Sequence, residues 1–367
     1  MKFPLVTFLS LAAICSFLSK SVHGALVFTN YTTANGLGVN HILGTYASGG
    51  KVYAGTFTGG LGVSSNGGAN WTNYTASNGL GTNIVRGVFA SGSNIYAATS
   101  GGLGISNDSG STWINRTTAN GLGANDVFGV FSSAGVLYAA AWNGGLGISS
   151  DNGASWTNYT TANGLGSNLM RGVFVSGSTV YVATNGGVSI STNGGGTWTN
   201  RTTLNGLGDN TVQGVYASGG YVYAATFGGL GISNNNGLTW TNYNFASGLA
   251  NNNVTSVFEL GGTIYAGTSN GLSVSTNGGS NWTNYTTAEG LGSNSINGIF
   301  ADAGFVYVAT NGGLSVAPLN AAVPEPGQVA ASVLALAGAG LYWWGRRRKP
   351  KGPQAAVQPL DGVGAVV

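Results

Sequence analysis

The chain has 367 residues, 66 of them glycine, and only 6% are charged. Regularly spaced Trp, Tyr, Phe, Val and Ile supply the apolar area of a packed core and exclude a disordered low-complexity chain. The net charge of +3 forms no basic face, because between Ala25 and Ala322 five cations stand against seven anions and the excess gathers at Arg346, Arg347, Arg348, Lys349 and Lys351. That excludes nucleic acid as a partner, and the lone cysteine, Cys15, excludes a disulfide framework or a thiolate metal site.

Residues 1–24 read as a secretory signal peptide. Lys2 gives a short positive start, Phe3 to Leu18 is mostly apolar, and Val22-His23-Gly24 offers small residues at a cleavage position. A buried helix is the plain alternative.

Residues 25–322 are built from repeats. Trp stands at positions 71, 113, 156, 198, 240 and 282, in steps of 42 or 43, and Phe28 holds the same place 43 residues before Trp71. A period near 42 implies propeller blades, four-stranded units that bury their faces only by stacking on neighbours. In the second unit the strands are Val85–Ser91, Asn94–Thr99, Leu103–Ser106 and Trp113–Thr117, with a hairpin signal at Ser91-Gly92-Ser93. The β-branched and aromatic residues at these places suit pleated, packed strands.

Register sets the blade count. The chain opens with a lone outer strand, Phe28–Thr32, and closes with Ile296–Asp302, Phe305–Thr310 and Leu314–Ala317, which lack one. Joining the two ends predicts an all-β, seven-bladed β-propeller closed by an N-terminal outer strand, which removes an exposed edge. A six-bladed ring with one set unused and an open β-solenoid are the alternatives.

The turn before each Trp follows S-x-D-x-G-x-[ST]-W at Asp108 and Asp151, with Asn in place of Asp at Asn66, Asn193, Asn235 and Asn277. Asp or Asn caps its own turn, Gly allows the bend, and Trp packs in the sheet. These turns resemble the Asp-boxes of the bacterial neuraminidase repeat, and the NGLGxNxVxG segments resemble two-component-regulator-type propeller repeats. The resemblance covers residues 28–317. It implies the propeller fold and a structural role for the boxes, and carries little about function.

Gln328 to Trp344 runs 17 residues without a formal charge. At ~1.5 Å per residue a helix there reaches about 26 Å, just short of a bilayer core. Tyr342, Trp343 and Trp344 would sit at the interface, with Arg346–Lys349 on the cytoplasmic side. Val323-Pro324-Glu325-Pro326, the apolar run and the Arg cluster resemble, over residues 323–349, the PEP-CTERM sorting signal of exported bacterial proteins. That resemblance implies an exosortase-type processing enzyme as a partner and a C-terminal transmembrane helix, at least a transient anchor at the cell surface or matrix. Residues 350–367 continue past the Arg cluster as a flexible tail, so a permanent membrane anchor stays open as the alternative.

Two columns vary among the near-identical repeats. One starts the innermost strand and holds Leu43, Arg86, Phe128, Arg171, Gln213, Thr255 and Asn297. The other lies between the second and third strands and includes Phe57, Trp142, Asn185 and Phe227. In a propeller both open on one face, around the channel mouth. A ligand face is one reading, with Trp142, Phe57 and Phe227 stacking on sugar rings, Phe128 and Gln213 beside them, and Arg86 and Arg171 binding carboxylate or sulfate. Neutral variation at exposed loop sites is the other.

Enzymatic readings fare worse. The sialidases that share the box use three arginines, a Tyr–Glu pair and an acidic Asp. Here only Arg86 and Arg171 start inner strands, while Arg116 and Arg201 fall on outer ones. Asp126, Asp209 and Glu289 lie in separate blades, so no acid pair for glycoside hydrolysis is expected. No cofactor or metal is expected either. The reading is an exported, non-enzymatic surface or matrix propeller that binds glycan, exopolysaccharide or an envelope component. A scaffold for protein partners and a divergent sialidase-like hydrolase are the alternatives.

Overall fold

The computed structural model describes residues 25–319. The leader (1–24), the sorting segment (323–349) and the tail (350–367) lie outside the described residues. Among those described, no helix is long and apolar enough to cross a membrane.

Seven antiparallel sheets of four strands each form the blades. Blade 1 comprises Ile42–Ser48, Lys51–Thr56, Leu61–Ser64 and Thr72–Tyr74. Blades 2 to 6 repeat that order outward from the axis. In blade 2 the strands are Val85–Ser91, Asn94–Thr99, Gly102–Ser106 and Ile114–Arg116, so Trp113 stands just before the outer strand rather than opening it. Blade 7 takes Ile296–Ala301, Phe305–Thr310 and Gly313–Pro318 from the end of the chain and Thr29–Tyr31 from its start. That seam is antiparallel, with Thr29 opposite Val316, Asn30 opposite Ser315 and Tyr31 opposite Leu314. The fold is a seven-bladed β-propeller.

The core lies between blades. The second strand of each blade is sandwiched on both faces, which is why it reads as a continuous run such as Val-Tyr-Val-Ala-Thr rather than an alternation. Tyr181, Val188 and Ile190 of blade 4 pack on Val212, Val222 and Ala224 of blade 5. The seam is built the same way: Tyr307, Leu314 and Val316 of blade 7 pack on Ile42, Val52 and Ala54 of blade 1. Burying each larger aliphatic side chain contributes about 1.5–3 kcal/mol.

A single 3-10 turn follows each outer strand, too short for a periodicity signal. In the turn Thr118–Asn120, the Thr117 hydroxyl and the Asn120 side chain cap each other's backbone, and Gly121 adopts φ 92°. The Thr118 N–H donates to Asn125 Oδ1 at 2.8 Å, pinning the loop's far end. Leu122 is thereby driven into the blade, 3% exposed. Gly147 leaves it room: a Cβ there would stand 3.0 Å from the Trp156 ring and 3.2 Å from Leu122.

The turns before the Trp residues are closed by side chains. In blade 2 the Ser106 hydroxyl donates to Asp108 Oδ1 at 2.8 Å and accepts from the Gly110 N–H at 2.8 Å. The Thr112 N–H donates to Oδ1 at 2.9 Å and its hydroxyl to Oδ2 at 2.6 Å. Asp151 receives the same contacts from Ser149 and Ser155. Asn66, Asn193, Asn235 and Asn277 accept the corresponding backbone N–H at 2.9–3.0 Å.

The Thr112 hydroxyl and N–H, with Ser106, hold the Asp108 carboxyl at about 2, and the equivalent contacts of Ser155 and Ser149 hold Asp151 at about 2. Both folded values lie below the unfolded value of about 3.9, so their contribution is present above that value and is lost as pH falls towards 2. Calorimetry from pH 4 to pH 2 is expected to show a falling thermal midpoint. The double variant Asp108→Asn, Asp151→Asn, which copies the four sister blades, should flatten that fall; an unchanged slope would remove these carboxylates as its source. The seam has its own test. Phe28 is buried and meets Tyr285 edge-on at 5.9 Å. Phe28→Ala should cost about 3 kcal/mol in denaturant unfolding, whereas a silent substitution would mean that the first strand does not close the ring in solution.

Candidate functional site

A β-bulge aims one side chain per blade at the axis. In blade 3 the register with the second strand shifts between Val127 and Gly129, which leaves Phe128 outside the ladder, and the other six inner strands shift at the same place. Bulges redirect side chains in this manner. The seven bulged residues, Leu43, Arg86, Phe128, Arg171, Gln213, Thr255 and Asn297, line an open depression of about 270 Å3 at one end of the channel.

Backbone hydrogen bonds bring the second variable column to the same mouth. The Trp142 N–H donates to the Asp126 carbonyl at 2.7 Å, Phe57 to His41 at 3.0 Å and Asn185 to Leu169 at 3.1 Å. Each acceptor lies two residues ahead of its blade's bulged residue.

The side chains then couple across blades. Arg86 forms a fork with Asp126 of the next blade, Nε to Oδ1 at 2.9 Å and Nη2 to Oδ2 at 3.2 Å. Its guanidinium lies 4.1 Å from the Phe128 ring centre. Phe128 stacks on Trp142 at 5.0 Å and 27°. Arg171 reaches neutral groups only: Nε donates to Asn185 Oδ1 at 3.0 Å and Nη1 to Gln213 Oε1 at 3.2 Å. Its guanidinium stands 5.1 Å from the Trp142 ring and 5.9 Å from the Phe227 ring. The Gln213 amide continues to Asn253 Oδ1 at 3.0 Å. Among the described residues Arg171 has no carboxylate partner, and burial pulls its pKa down from the usual arginine value.

Arg86, Phe128, Trp142, Arg171, Gln213 and Phe227 therefore form one contiguous set over blades 2 to 5. Phe57 belongs to blade 1, stacks on His41 at 5.0 Å and stays 44% exposed, much as Phe227 does at 43%. Burial lowers the His41 pKa.

Two parts of the site escape sequence reasoning. Asp126 reads as an isolated loop carboxylate, and only its place two residues before Phe128 hints that it faces the neighbouring blade's bulge. The second part is the floor. Three residues along each inner strand from the bulge, about 10 Å deeper, stand Tyr46, Phe89, Phe131, Phe174, Tyr216, Phe258 and Phe300. Each ring touches the next, with centroids 4.5–5.1 Å apart, and Phe300 closes on Tyr46 at 4.5 Å. This annulus of seven aromatic rings lines a second cavity of about 470 Å3. An aromatic residue stands there in all seven blades, so no departure from repetition marks the position.

The fold has solved counterparts. The extracellular domain of the putative hybrid two-component system BT3049 from B. thetaiotaomicron superposes with a TM-score of 0.67 at 19% identity, over 80% of this chain and 42% of that one. YCF48 from Cyanidioschyzon merolae gives 0.61 at 14% identity, over 81% and 100%. The GH74 enzyme of Niastella koreensis gives 0.54 at 22% identity, over 78% and 44%. The chain thus spans less than half the length of the two-component-system domain and the GH74 enzyme it matches. No protein-family model and no curated protein matches it.

The annulus makes a prediction about stability. Phe131→Ala removes ring contacts to both Phe89 and Phe174 and is expected to cost about 2 kcal/mol, read as a lowered urea midpoint. A change under about 0.5 kcal/mol, the level of an ordinary surface substitution, would mean that the rings do not stabilise the channel.

Proposed function

We propose that this chain is an exported, non-enzymatic propeller whose channel mouth binds an acidic polysaccharide of the cell surface or matrix. The reading takes residues 1–24 as the export signal and residues 323–349 as a sorting or anchoring segment processed by an exosortase-type enzyme. One observation carries the choice of ligand. Arg171 is a half-buried cation with no counter-ion among the described residues, set between Trp142 and Phe227. A desolvated charge of this kind gains most from an anion, and aromatic rings beside it suit the apolar faces of sugar rings. Arg86 is already paired with Asp126 and serves to hold Phe128 under Trp142.

Hydrolysis is disfavoured by the same geometry. Asp126, the carboxylate at the mouth, is engaged by Arg86, and the Asp209 carboxylate caps the Thr211 N–H at 2.6 Å. A second reading, a peptide-binding scaffold, draws on a solved YCF48 bound to D1 peptide, which shares the propeller at a TM-score of 0.62.

The test is binding of the full-length chain to an array of neutral, carboxylated and sulfated glycans. Selective capture of acidic glycans is expected, weakened about tenfold or more by Arg171→Ala and by Trp142→Ala, with less effect from Arg86→Ala. Affinity should fall with added salt. Retention of binding in both variants would remove the mouth as the site. A folded chain that binds no glycan but takes up extended peptides would favour the scaffold.

A further inference from the structure

The inner strands end, on the face opposite the mouth, in a column of small residues: Ala47, Ala90, Ser132, Val175, Ala217 and Ala301. Blade 6 breaks it with Glu259, whose side chain lies in the cleft between blades 5 and 6 and is only 8% exposed. Among the described residues its one hydrogen bond comes from the Gly262 N–H, 2.6 Å from Oε1, and no Lys, Arg or His pairs with it. A carboxylate that buried leaves most of its acceptor capacity unused.

It is buried beside a cavity rather than in packed core. The cleft has a volume of about 380 Å3, with Tyr221, Tyr223, Ile232 and Ile264 as walls and Gly219 and Gly262 at the rim. Tyr221 and Tyr223 stack with centroids 6.4 Å apart at 25°, and Tyr221 is 46% exposed, so the cleft opens to solvent beside an aromatic wall. Of the cleft walls, Tyr223 has its phenol pKa raised by burial first and then by Glu259.

We infer that this cleft binds an organic ammonium ion, its charge on Glu259 and its carbon body against Tyr221 and Tyr223. A divalent metal is a poor occupant, because calcium or magnesium needs several oxygen ligands and this cleft offers one carboxylate. Among the described residues no group of three or more metal-ligating side chains exists. An ammonium needs a single anion, gains from aromatic faces within about 6 Å, and covers the two isoleucines with its carbons. The site is separate from the mouth, and neither depends on the other.

The probe is n-butylammonium chloride, titrated into the full-length chain while the Gly262 amide is followed by NMR. A saturable shift is expected with butylammonium and not with sodium or magnesium chloride at equal ionic strength. Glu259→Ala restores the residue that the repeats use in blades 1, 2, 5 and 7 and should abolish the response in a chain that stays folded. Tyr221→Ala, at the exposed rim, should weaken it severalfold. A linear response, the same shift with sodium, or an undiminished response in Glu259→Ala would each overturn the assignment.

Discussion

The architecture depends on how closely neighbouring inner strands approach the axis. Directly after each bulge comes Gly44, Gly87, Gly129, Gly172, Gly214 or Gly298, and a Cβ on Gly129 would stand 3.2 Å from the Gly172 Cα, one on Gly298 3.3 Å from the Gly44 Cα. Blades 3 and 4, and blades 7 and 1, meet there backbone to backbone. At these junctions, and where a Cβ on Gly44 would stand 2.6 Å from the Arg86 carbonyl and one on Gly87 3.1 Å from the Phe128 carbonyl, a side chain would hold the neighbouring blades apart. The exception has its own compensation. In blade 6 the position is Ser256, whose hydroxyl accepts the Ile299 N–H of blade 7 at 3.1 Å. Below this tier the aromatic annulus lines the channel, and above it the bulged residues face the mouth.

Polar side chains do in this chain what charges and disulfides do elsewhere. Ser, Thr, Asn and Asp close the outer turns and cap the 3-10 turns, so each connection keeps its backbone groups paired in nearly every repeat. The variable columns sit where none of this scaffolding depends on the side chain: a bulged residue is outside the ladder, and the second-column loop residue is held by its backbone N–H. Repetition therefore leaves the mouth free to differ from blade to blade.

That division explains what could be read from the sequence. The period and the split terminal repeat carry the blade count and closure, since Thr29–Tyr31 supplies the strand that blade 7 lacks. The departures from repetition point to the mouth. Pairing is another matter: Arg86 and Asp126 are 40 residues apart and belong to different blades, so no local pattern links them. Uniformity hid the annulus, and the 3-10 turns are three residues long. Glu259 is the one acid in a column of small residues, but only its burial beside a cavity gives it meaning.

A second column, in the third strand, shows how tightly the repeats constrain one another. It holds Gly62, Gly104, Gly147 and Gly231 in blades 1, 2, 3 and 5, and Ser189, Ser273 and Ser315 in blades 4, 6 and 7. Where it is glycine, the neighbouring indole N–H of Trp71, Trp113, Trp156 or Trp240 donates to a turn carbonyl at 2.8–3.2 Å. Where it is serine, the indole N–H of Trp198 or Trp282 has no partner. At Gly62, Gly147 and Gly231 an added Cβ would stand 3.0–3.1 Å from the indole ring, so a serine there crowds it. The serine hydroxyl offsets the loss by accepting a loop amide, from Gly166 and Ala250 at 3.0 Å, and by donating to Asn200 at 2.6 Å and Asn284 at 2.7 Å. In blade 7 Ser315 gains the same two bonds, from Gly292 and to Asn30, and the aromatic position holds Phe28, which has no N–H to leave unpaired. The one blade assembled from both ends of the chain thus keeps the serine network without an orphaned donor, where strand pairing has to form across the whole length of the repeat array.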